Sequence, residues 1–130
     1  GDMQDGLIAR MNIEDFEQLV IEAIDSLPEE FIARLDNVDI TVESVPTQAQ
    51  LAQQGIPEGG LLLGLYEGVP ITARQNYGFV LPDKITIFQE SIEMVCSTPG
   101  EIVHEVRDTV VHEVAHHFGI DDDALHALGL

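Results

Sequence analysis

The sequence predicts a single domain of mixed α and β class, with a long helix near its C-terminus. Three observations predict it. Apolar residues recur at helical spacing from Ile13 to Leu27, and they fall at near-alternate positions from Val38 to Val45. A start signal at Thr98-Pro99 opens a long run that Gly119 closes. At 130 residues, 45% of them hydrophobic, the chain has the apolar material for one core. The expected organisation is a flexible N-terminal segment, 1–12, and one domain, 13–130.

Each element has a local reason. Asn12 can cap the first helix, Ile13, Phe16, Leu19, Val20, Ala23, Ile24 and Leu27 form its buried stripe, and Pro28 breaks it. A short helix from Glu29 to Leu35 follows. Val38, Ile40, Val42 and Val45 read as a half-buried strand that ends at Pro46. The Gln-rich stretch from Thr47 to Gly60 reads as a loop or loose helix closed by a turn. Leu61 to Tyr66, Ile71 to Arg74 and Ile85 to Phe88 are strand candidates, Asn76 to Pro82 is ambiguous, and Gln89 to Cys96 is helical. The long helix runs from Thr98-Pro99 to Phe118, and a last short helix spans Asp122 to Leu128.

Charge narrows the partners. Twenty-four acidic residues stand against five basic ones, a formal charge of -19, which repels a phosphate backbone and attracts a cationic peptide. Nucleic acid is therefore excluded as a partner. No apolar run reaches the ~18 residues of a membrane span, and no basic-then-apolar export signal opens the chain, so the expectation is a cytoplasmic protein. The single cysteine, Cys96, permits neither an internal disulfide nor a thiolate cluster, and reads as a small core filler. Oligomeric state is not legible.

The chemistry concentrates in His112-Glu-Val-Ala-His116-His-Phe-Gly119-Ile-Asp-Asp122. At ~100° per residue, positions four apart lie about 40° apart on a helix, so the imidazoles of His112 and His116 can reach one ion at ~2.0–2.1 Å. Glu113 lies about 100° round from His112, where a base must stand to take a proton from water on the metal. Val103, Val106, Val110, Val114 and Phe118 group on the opposite face, so the helix can bury that side and present its ligands to a cleft. Arg107 interrupts the stripe. If the helix stops at Gly119, the chain turns back and brings a carboxylate toward the ion. Spacing favours Asp122 as third ligand, with Asp121 and Asp123 as rivals. Two neutral histidines and one carboxylate leave a coordination position open, the composition of a catalytic zinc centre holding one ion. His117 lies toward the core side, Asp108 can steady a ligating imidazole from one turn upstream beside His104, and His126 reads as surface.

These residues resemble the extended zincin pattern His-Glu-x-x-His-x-x-Gly-x-x-His/Asp, and the short chain with its motif near the end resembles the small bacterial minimal zincins. The resemblance implies an α+β zincin-like fold in which a small mixed sheet packs against the motif helix. It also implies zinc ligands at His112, His116 and Asp122 and a catalytic Glu113. The activity implied is hydrolysis of a peptide or protein substrate extended along an edge strand, either Leu61 to Tyr66 or Ile85 to Phe88. No methionine follows Asp122, where metzincins carry a methionine turn. A second expectation is therefore a zinc-holding module that recognises a basic partner without turnover.

Overall fold

The computed structural model describes residues 11–69 and 81–130 of the chain. Helix α1 (Ile13–Asp25) begins where the Asn12 side chain accepts the Asp15 N–H at 2.8 Å, and it buries Phe16, Val20 and Ala23. Beyond Pro28, α2 (Glu29–Ile32) tightens into a 3₁₀ turn at Ala33–Leu35. Strand β1 (Val38–Glu43) follows, then α3 (Gln48–Gln53), β2 (Gly64–Glu67) and β3 (Asp83–Phe88). Helix α4 (Gln89–Val95), the long helix α5 (Pro99–Phe118) and the short α6 (Asp122–Ala127) complete the order.

The described strands form one mixed sheet in the order β1-β3-β2, with β1 parallel and β2 antiparallel to β3. This is the α+β arrangement expected, and α5 lies across the sheet. Ile85 and Ile87 of β3 turn into the core with Phe16 and Val20 of α1 and Ile102, Val106, Val110 and Val114 of α5, where all but Val20 are wholly buried. The valine stripe of the motif helix therefore does bury itself, with Ile102 extending it. Its last member does not: Phe118 is 46% exposed, because it sits at the end of α5 and packs edge-on to Tyr66 and His117 instead.

Other expectations need correction. Of the two readings of Thr47 to Gly60, loop or loose helix, the helix is the one present, because Thr47 and Gln50 form a reciprocal capping box that starts α3. The second strand begins at Gly64 rather than Leu61. Ile85 to Phe88 is the central strand, so it cannot be the substrate-bearing edge; β2 is an edge among the described residues. The strand expected at Ile71 to Arg74 lies outside the described residues, as does most of Asn76 to Pro82. No helix among the described residues is long and apolar enough to cross a membrane.

Phe16 has no exposed surface and joins α1 to the core beneath α5. Phe16→Ala is expected to cost about 3–5 kcal/mol, the sum of lost transfer energy and a residual cavity. Urea unfolding would show it as a lower midpoint at unchanged slope.

Candidate functional site

Both ends of the motif helix are fixed by local chemistry. The Thr98 side chain accepts the Glu101 N–H at 3.1 Å, Pro99 takes the first helical position, and Glu101 in turn accepts the Ser97 N–H at 2.6 Å. Gly119 ends the helix in the left-handed region, φ 67°, where a side chain would be strained. The chain then turns, and the Asp121 carboxylate accepts the Ala124 N–H at 2.9 Å to start α6.

His112 and His116 are exposed on one face of α5, while Glu113 is half-buried between that face and the sheet. Glu113 meets β2 directly: its Oε1 accepts the Tyr66 N–H at 3.0 Å. Strand parity explains why that amide is available. Phe88 donates to the Leu63 carbonyl at 3.0 Å, so Leu63, Leu65 and Glu67 turn their backbone groups toward β3, and Gly64 and Tyr66 turn theirs outward. His112 and Glu113 line a cleft of about 300 Å³ whose other wall is the approach to β2, Leu61 to Gly64. The strand can lie this close because residue 64 is glycine. A Cβ there would stand 2.6 Å from Thr109 Cγ2 and 3.1 Å from the Thr86 carbonyl oxygen.

A second set of contacts, not foreshadowed by the motif, holds β2 against the end of α5. The Tyr66 hydroxyl donates to Asp83 at 2.6 Å, and the other oxygen of Asp83 accepts the Val69 N–H at 2.9 Å. The Tyr66 ring stacks on His117 with centroids 3.9 Å apart. Of the two roles expected of His117, burial or support of the site from behind the ligands, burial is not found: it is exposed and acts as a platform for the tyrosine. These residues come from three elements, and nothing local in the sequence marks them as partners.

The remaining residues fall as follows. Asp108 lies 3.1 Å from His104 Nε2, on an exposed stretch, so it pairs upstream rather than with His112. His126 is exposed, as expected. Asp122 is exposed and borders a small hollow between α5 and α6 with Arg107, Asp108 and His126. Among the described residues no three His, Cys, Asp or Glu side chains converge tightly enough to hold a metal. The donor chemistry nevertheless fits zinc: two imidazoles stand one turn apart on an open helix face, and α6 offers carboxylates a few residues beyond. Asp121 is already engaged as a helix cap, which leaves Asp122 and Asp123.

Cys96 is partly buried against the core, close to its expected role. Burial first, then the charges of Glu105 and Glu101, push its thiol up to about 11. A raised thiol pKa keeps the group protonated until pH passes that value, so at pH 9 only ~1% is thiolate against about half for a thiol at the ordinary value of 9.0. Iodoacetamide is expected to alkylate Cys96 roughly 50-fold more slowly in the folded protein than in urea at that pH, read by mass spectrometry.

The comparisons with known proteins agree with this architecture. A solved structure of a conserved hypothetical protein from T. thermophilus is similar, with a TM-score of 0.55 at 25% sequence identity, covering 83% of this chain and 94% of that one. No protein of curated function matches. The family model for zincin-like metallopeptidases matches residues 35–130, which takes in the sheet, the motif helix and α6, and the chain therefore belongs to the zincin-like metallopeptidase family.

Proposed function

We propose that the protein is a zinc-dependent peptidase in which His112, His116 and Asp122 hold one zinc ion and Glu113 is the general base. The family is one of metallopeptidases, and the donor set of two imidazoles and a carboxylate suits a catalytic zinc. The observation that carries the reading is that His112 and Glu113 open into the same cleft, beside an edge strand with outward backbone groups.

The chain's own residues divide the work. Gly64 N–H and C=O, turned outward on β2, hold an extended peptide by backbone pairing. Glu113, held by the Tyr66 N–H at 3.0 Å, accepts a proton from the attacking water and delivers it to the leaving amine. The stack of Tyr66 on His117 and the Asp83 bond keep strand and helix in register while this happens. A bound zinc supplies Lewis-acid polarisation of the scissile carbonyl and acidification of water. The acidic surface favours basic substrates, since the formal charge is -19.

The test is broad peptide profiling of the protein loaded with zinc. Cleavage that disappears with a chelator and returns with zinc supports the peptidase. A protein that takes up zinc stoichiometrically yet cleaves nothing across the library would instead be a zinc-holding binding module.

A further inference from the structure

The edge of the sheet remote from β2 carries a different feature. Among the described residues β1 is paired on one side only. Asp83 donates its N–H to the Asn37 carbonyl at 3.0 Å, in parallel register with Val38 opposite Asp83. Parity then turns the amides and carbonyls of Val38, Ile40 and Val42 away from β3, to the open edge. Beside that edge, Ile40 and Val42 with Val20 and Ile24 of α1 line a groove of about 450 Å³. Ile21 on the α1 side leaves half its surface exposed. The charged residues of the groove are Glu17, Asp25 and Asp39, and no lysine or arginine lines it.

We propose that this edge docks an extended basic segment of another protein, added as a strand alongside β1. Three requirements converge on that occupant. Outward amides and carbonyls at the spacing of a strand are satisfied by another extended backbone and not by a helix, whose own backbone groups are already bonded. The apolar floor accepts every second side chain of such a strand. Glu17 and Asp25 rim that floor on α1, and Asp39 lies on the opposite face of β1, so the strand meets a carboxylate on both faces and lysine or arginine completes the charge pattern. A second copy of this chain is the poorer fit, because it would bring the same carboxylates and another formal charge of -19 to the edge. The surface lies on the far side of the sheet order from β2, so it does not depend on the peptidase reading.

The probe is the capped heptapeptide Lys-Val-Lys-Val-Lys-Val-Lys, titrated into the ¹⁵N-labelled full chain at low salt and followed by NMR. Saturable shifts and slowed hydrogen exchange are expected at the amides of Val38, Ile40 and Val42, with no response to the Glu-Val counterpart. The double variant Asp25→Lys, Asp39→Lys reverses two exposed charges and is expected to raise the Kd about tenfold, with an otherwise unchanged spectrum that certifies its fold. Absence of saturable shifts on β1, an equal response to the acidic peptide, or shifts confined to the segment around His112 would overturn the proposal. So would protection of the β1 amides that depends on protein concentration alone, which would assign the edge to a second copy.

Discussion

Glu113→Gln is expected to retain zinc and to lower peptide hydrolysis by roughly 10²–10⁴-fold, the range that a positioned general base contributes. The change is nearly isosteric, and the amide oxygen of glutamine can still accept the Tyr66 N–H that now bonds Glu113 Oε1 at 3.0 Å. Strand β2 therefore keeps its place on α5, and both histidines are untouched. What disappears is the capacity to take up a proton. The loss should fall on kcat, with KM little changed, because the outward backbone groups of Gly64 proposed to align the substrate remain. A glutamine variant that holds zinc and cleaves peptides at the wild-type rate would remove Glu113 from the chemistry. Glu113→Ala is a sharper structural comparison, since it also frees the Tyr66 amide, and its activity should not exceed that of the glutamine form.

How far the sequence foretells this arrangement depends on the range of the forces involved. The limits of α5 are legible because Thr98, Pro99 and Gly119 act on neighbours within one turn. The buried stripe Val106, Val110 and Val114 is legible because helical period alone places it. The capping box at Thr47 and Gln50 is equally local, but the glutamines around it lack the apolar stripe that would draw attention to a helix. The start of β2 departs from expectation for a non-local reason. Leu61, Leu62 and Leu63 look more strand-like than Gly64, yet Gly64 is where α5 comes close enough that Thr109 would strike a Cβ. Likewise Tyr66 and Asp83 stand 17 positions apart, and only the pairing of β2 with β3 makes them neighbours. Spacing finds the motif residues, but spacing cannot say where a carboxylate beyond Gly119 points. That depends on the Asp121 cap and on how α6 folds back along α5.

The third ligand is therefore the place where substitution is most informative, and His112→Ala sets its scale. Removing a group that only orients a ligand costs about 10–100-fold in metal affinity, so removing an imidazole that itself binds should cost more. His112 is exposed and faces the cleft, and its replacement should leave the melting temperature of the metal-free protein nearly unchanged. Elemental analysis and competition with a fluorescent zinc chelator would register the loss directly. Against that scale, Asp122→Ala should also weaken zinc strongly without destabilising the metal-free fold. Asp121→Ala should do the opposite, costing about 0.5–2 kcal/mol through the lost cap at Ala124 while zinc affinity holds. The contrast follows from geometry: the cap holds the Asp121 carboxylate over the Ala124 N–H, and turning it toward His112 and His116 would give that bond up. On the proposed ligand set, zinc draws Asp122 out of the hollow it borders with Arg107 and His126, so the Asp122 amide should shift on zinc addition in the wild-type protein and stay in place in the His112→Ala protein. If Asp122→Ala binds zinc as tightly as wild type while Asp123→Ala does not, the ligand is the next carboxylate along, and α6 must present its second residue to the ion rather than its first.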